Sequence, residues 1–73
     1  MQVRPNRIRD LRLERKNSQI QLAVAAGLSL ITIRMAETGI ASPRTLTAVA
    51  RALDVAEAEL FPGRSAQSAI AAE

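Results

Sequence analysis

The side chains in this sequence with chemistry to offer are its arginines. Ten basic residues stand against seven acidic ones, a net charge of +3, and they are unevenly placed. Arg4, Arg7, Arg9, Arg12, Arg15 and Lys16 against Asp10 and Glu14 give residues 1–16 a charge of +4 and leave −1 for the rest. A guanidinium presents a planar fork of donors that matches a phosphate or the edge of a guanine. Clustered cations also gain sequence-independent affinity for a phosphate backbone, because each phosphate neutralised releases counterions. The same run fits a solvated helix face with i,i+4 charge pairs, and composition alone does not separate the two readings.

Catalysis and metal binding have no equipment here. The chain has no histidine, cysteine or tyrosine, and its carboxylates are scattered without paired or metal-ligand spacing. Gly27, Gly39 and Gly63 lie too far apart for a phosphate-cradling loop. The expectation is a non-enzyme with no cofactor, metal or small-molecule ligand. Phe61 is the single aromatic residue, so unpaired bases have almost nothing to stack on, and a nucleic-acid partner would be a duplex. Seventy-three residues make one small domain, and without cysteines to staple it the core must be aliphatic. No apolar run approaches the ~20 residues a bilayer needs. The arginine-rich start lacks the apolar stretch of a signal peptide. A cytoplasmic protein with no membrane partner is expected.

Helices must position these side chains, since no segment alternates with period two. The most informative stretch is SQIQLAVAAGLSLITIRMAETG, Ser18 to Gly39. Ser18 and Gln21 have the spacing of a reciprocal capping box, and Leu22, Ala23 and Ala26 form the buried stripe of the helix that follows. Gly27 can take the left-handed conformation without a Cβ penalty and turn the chain within a few residues. Ser29 then restarts a helix as N-cap. This helix carries Ile33, Ala36 and Glu37 on one stripe and Leu30, Ile31, Arg34 and Met35 on the other, and stops at Thr38-Gly39. The layout fits a DNA-docking helix pair and also an ordinary helical hairpin.

Upstream, a helix capped by Asn6 runs to about Lys16, with Ile8, Leu11, Arg12 and Arg15 on its inner stripe. Downstream, Ser42-Pro43 is an N-cap followed by proline at the first helical position. Leu46, Val49, Ala50 and Leu53 then mark a buried face at i, i+3, i+4, i+7. A weak fifth helix is expected from about Ala56 to Phe61, ended by Pro62-Gly63. Residues 1–5 read as a flexible basic arm, 6–63 as the folded domain, and 64–73, small and polar without a periodic stripe, as a frayed or disordered tail.

Ser18-Gln19, Leu22-Ala23, Gly27-Leu28-Ser29, Thr32-Ile33, Glu37 with Gly39, and the closing ARALDVAEAELF occur in one order and at family spacing. Through them the chain from about Ile8 to Phe61 resembles the lambda-repressor-like, Cro-type (XRE) helix-turn-helix domains of bacteria and phages. The resemblance implies an all-α fold, a compact five-helix bundle with a central helix-turn-helix. It implies a dimeric, repressor-like regulator that binds double-stranded DNA sequence-specifically. It assigns phosphate contacts to Gln19, Arg44, Arg12 and Arg9, and base contacts to Ser29, Leu30, Ile31, Arg34 and Met35. It also pairs Arg12 with Glu37, both already on inner stripes. Such a buried pair specifies how two helices dock more than it adds net stability.

Departures from the family pattern bear on mechanism. Leu30, Ile31 and Met35 are apolar where polar side chains usually read bases, so Arg34 alone could make the bidentate guanine contact, while the others could pack on thymine methyls. Together with Leu13, Ile20 and Val24 they would equally make a protein-binding patch, and the alternative function is a protein-interaction module, antitoxin-like or oligomerising. Asp54 stands where glycine is usual after the fourth helix, a mild change. Ala56 replaces a capping serine or threonine, at a cost of ~1 kcal/mol.

Overall fold

A computed structural model describes residues 5–62. Over that range the chain forms four α-helices, α1 Ile8–Glu14, α2 Gln19–Ala26, α3 Leu30–Glu37 and α4 Pro43–Leu53, followed by a 3-10 turn at Glu57–Leu60. No strand occurs among the described residues. The tail expected at 64–73 and all of the arm but Pro5 lie outside them.

The expected fifth helix is corrected to that single turn. Phe61 precedes Pro62, and the proline ring drives the residue before it out of the helical region; Phe61 is extended, at φ −118° and ψ 133°. Six residues separate Asp54, which ends α4, from Phe61, and with Ala56 extended at φ −72° and ψ 148° only Glu57–Leu60 coil. Ala56 supplies no side-chain cap, but the Glu59 carboxylate accepts from the Ala56 N–H at 3.0 Å, which keeps half of a capping box. Thr47 on α4 donates its hydroxyl to Glu57 at 2.9 Å, and the Arg7 N–H donates to the Leu60 carbonyl at 2.6 Å. The turn thus closes the chain back onto the start of α1.

Helix ends are set by two local devices. Ser18, Ser29 and Ser42 each accept, through Oγ, from the backbone N–H three residues on. At the other end all four helices finish alike: a residue with positive φ, then an N–H that reaches back five residues to a helix carbonyl. Asn17 bonds Arg12, Leu28 bonds Ala23, Ile40 bonds Met35 and Val55 bonds Ala50, at 2.9–3.1 Å. The positive-φ residues are Lys16, Gly27, Gly39 and Asp54. Two of the four carry side chains, so Lys16 and Asp54 hold a conformation that costs ~1–2 kcal/mol in a non-glycine residue.

Every element contributes to one core. Ile8 and Leu11 of α1, Leu22 and Ala23 of α2, Ile33 and Ala36 of α3, Val49, Ala50 and Leu53 of α4, and Leu60 are buried, with Leu46, Val55 and Phe61 packed partly against them. Each fully buried aliphatic side chain contributes roughly 1.5–3 kcal/mol. Arg15, expected inward, is exposed; it donates to the Leu11 carbonyl at 3.2 Å and lies 3.9 Å from Glu14. One charged side chain is all the inner stripe of α1 admits, and Arg12 takes that place. Thr45 is buried as well, with its hydroxyl paired to Ser42 Oγ at 3.1 Å.

Asn6 stands just before the cap and bonds in two directions. The N-cap of α1 is Arg7, one residue later than expected; Asn6 Oδ1 accepts from the Ile8 N–H at 3.0 Å. Its amide donates to the Ala36 carbonyl at 2.6 Å. The start of α1 is thereby tied to the last turn of α3. Among the described residues no single helix is long and apolar enough to cross a membrane.

Candidate nucleic-acid interface

Between Ala26 and Leu30 the chain has three residues in which to change direction, and it bends by 110°. Gly27, at φ +70° and ψ 32°, makes the turn, and Ser29 caps the new helix. A two-helix unit with a three- or four-residue turn and a crossing near 90–120° is the geometry of a helix-turn-helix. Ile33 and Ala36 are fully buried, whereas Ile31, Arg34 and Met35 face solvent. Ile31 is 67% exposed, so the stripe is a true outer face and not a seam of the core. Ser29 is exposed at its head and Leu30 is half-buried beside it. Ser29 Oγ accepts from the Thr32 N–H at 3.1 Å and pairs with Thr32 Oγ1 at 2.8 Å.

The inner end of α3 is held by charge. Arg12 Nε donates to Glu37 Oε2 at 2.6 Å and Nη2 to Oε1 at 3.4 Å, with side chains only 9% and 7% exposed. Arg12 Nη1 donates to the Asn17 carbonyl at 2.8 Å. A carboxylate–guanidinium fork of this kind resists rotation of one helix against the other, because any shift strands a buried charge. It also corrects one expected role. Arg12 is buried and each of its three nitrogens donates within the chain, which removes it from the phosphate-contacting set.

A further partner of this pair was not legible in the sequence. Gln19, the first residue of α2, donates Nε2 to Glu37 Oε1 at 3.1 Å and accepts on Oε1 from Arg34 Nε at 3.5 Å. Residue type and spacing placed Gln19 at the head of α2; the 110° turn is what carries it beside α3. The other assigned cations lie apart from this cluster. Arg9 is exposed on α1, and Arg44 is exposed at the second residue of α4.

Exposed apolar side chains extend beyond α3. Ile20 and Val24, four residues apart on α2, are 62% and 77% exposed, and Leu13 on α1 is also exposed. Among the described residues no group of three or more His, Cys, Asp or Glu could hold a metal ion. The arrangement suits recognition by a surface: a helix whose outer stripe carries one guanidinium between apolar side chains, stiffened from behind by a buried ion pair.

A family model described as Helix-turn-helix matches residues 8–60, from the first residue of α1 to the end of the 3-10 turn. No curated protein and no solved structure matches the chain.

Proposed function

Because the chain belongs to the helix-turn-helix family of DNA-binding regulators, we propose that it binds double-stranded DNA sequence-specifically as a homodimer, in a repressor-like role in the cytoplasm. The two copies of α3 would enter successive major grooves about 34 Å apart. The observation that carries this reading is the outer stripe of α3, with Arg34 exposed between Ile31 and Met35 on a helix set at 110° to α2.

In this reading Arg34 forks onto a guanine, and Ile31 and Met35, with Leu30 at their edge, pack on thymine methyls; Ser29 reaches a base edge from the head of the helix. Gln19, Arg9 and Arg44 meet phosphates and set the register. Selection of duplexes from a random pool tests it. The expected product is a palindromic site whose binding weakens steeply with salt, and Arg34→Ala should flatten base preference without abolishing binding. Equal affinity for selected and random duplexes refutes it.

A second reading rests on Ile20 and Val24, two large apolar side chains exposed on α2. In it the patch Leu13, Ile20, Val24, Leu30, Ile31 and Met35 binds a protein partner or a second copy. Gel filtration with and without duplex separates the two: a shift only with DNA supports the first, a complex indifferent to DNA the second.

A further inference from the structure

Gln19 sits between two charges of opposite sign, and its amide has only one way to satisfy both. Glu37 Oε2 and Oε1 already receive the Arg12 fork, and an ionised carboxylate only accepts. Gln19 must therefore turn its NH2 toward Glu37, which it does at 3.1 Å, and its carbonyl outward. The group waiting there is the Arg34 Nε–H, at 3.5 Å. A donor-only guanidinium is the complement of an outward carbonyl. A phosphate oxygen is not.

We infer that Gln19 is a positioning residue that relays the buried Arg12–Glu37 pair to Arg34, so that the base preference of Arg34 depends on an amide it shares with the core. This rests on the proposed DNA-binding function and deepens it. The side chain of Arg34 has many rotamers on an exposed helix, and ordering it on contact with DNA takes conformational entropy. Tethering Nε to Gln19 removes part of that penalty in the free protein and leaves both Nη groups as an end-on fork for guanine O6 and N7. The contact to Glu37 uses one of the two amide hydrogens of Gln19. The other can still reach a phosphate, so the two roles of Gln19 make different predictions when it is lost.

Gln19→Met keeps the length and apolar volume of the side chain and deletes the amide. The test compares wild type, Gln19→Met, Arg34→Ala and the double variant on the selected duplex and on the same duplex with 7-deazaguanine at the base pair where Arg34→Ala flattens preference. Wild type should favour the natural guanine by about tenfold, and Gln19→Met should lose most of that ratio. The double variant should discriminate no worse than Arg34→Ala alone. In the free protein, Gln19→Met should also move the Arg34 Nε–H NMR resonance while Ala25→Met, at an exposed position further along α2, leaves it in place. Full discrimination in Gln19→Met, with every duplex weakened equally, assigns Gln19 to phosphate alone and overturns the relay. An unmoved Arg34 resonance overturns it without touching the DNA-binding reading. Wild type that selects no duplex overturns that reading, and with it the role of the relay.

Discussion

Removing Arg12 should destabilise the domain more than removing Glu37, although the two share one ion pair. Arg12→Met keeps the aliphatic stem and leaves Glu37 buried, with Gln19 as its remaining partner. Glu37 is also the last residue of α3, where the helix dipole disfavours an anion. Glu37→Gln leaves Arg12 in a better position. It keeps the Asn17 carbonyl at 2.8 Å and lies in the last turn of α1, where the dipole favours a cation. Breaking a buried pair from one side costs ~3–5 kcal/mol, and we place Arg12→Met at the upper end. The dipole difference, ~0.3–1 kcal/mol at each helix end, puts Glu37→Gln lower by about 1 kcal/mol. A chain this short has on the order of 4–11 kcal/mol to lose, so either change takes a large share. Urea unfolding followed by circular dichroism at a fixed wavelength measures it; with a slope of ~1 kcal/mol per molar, the Arg12→Met midpoint should fall by roughly 5 M or lie below zero denaturant. The double variant Arg12→Met with Glu37→Met should recover to within ~1 kcal/mol of wild type or exceed it, because no charge is left buried. Single penalties below ~1 kcal/mol that simply add would mean the pair is solvent-screened, and the reverse order would refute the dipole argument.

Backbone and surface changes give sharper local tests. Gly27→Ala should cost ~1–2 kcal/mol through its left-handed φ alone, since an added Cβ meets nothing within 4 Å; a larger loss on denaturation would reveal a clash the structure lacks. Asp54→Gly should raise the melting temperature by a few degrees, at ~4–8 °C per kcal/mol, because it relieves a left-handed residue at φ 58° and takes a carboxylate off the carbonyl end of α4. A calorimetric scan showing a lower melting point would mean the aspartate is held by something stronger than its strain. Ile20→Glu should leave stability within ~0.5 kcal/mol, as expected of an exposed site. It should abolish any complex formed through α2 while leaving selected-duplex binding within a fewfold, read by gel filtration and fluorescence anisotropy.

Much of the fold was legible because its signals are short-range. Ser18, Ser29 and Ser42 cap the N–H three residues on whatever else the chain does, and Gly27 turns because only glycine enters that conformation freely. The stripe at Leu46, Val49, Ala50 and Leu53 declared its face by spacing. The misses have separate causes. Lys16 adopts the left-handed conformation without being glycine, so α1 ends at Glu14 and not at about Lys16; the fifth helix was shortened by Pro62, whose effect falls on its neighbour. Arg15 and Arg12 lie on the same stripe, and periodicity cannot say which of two arginines finds a carboxylate.

What the sequence by itself determined is therefore an ordered series of helices, their caps and turns, the apolar faces that must be buried, and an arginine on the outer side of the third helix. Tertiary structure decided who meets whom across it. The Asn6 amide on the Ala36 carbonyl, the Arg7 N–H on the Leu60 carbonyl, and Gln19 between Glu37 and Arg34 all join residues that are 15 to 53 positions apart. Such pairings depend on the rotation and tilt of whole helices, which the packing of the shared core sets, and no interval along the chain encodes them.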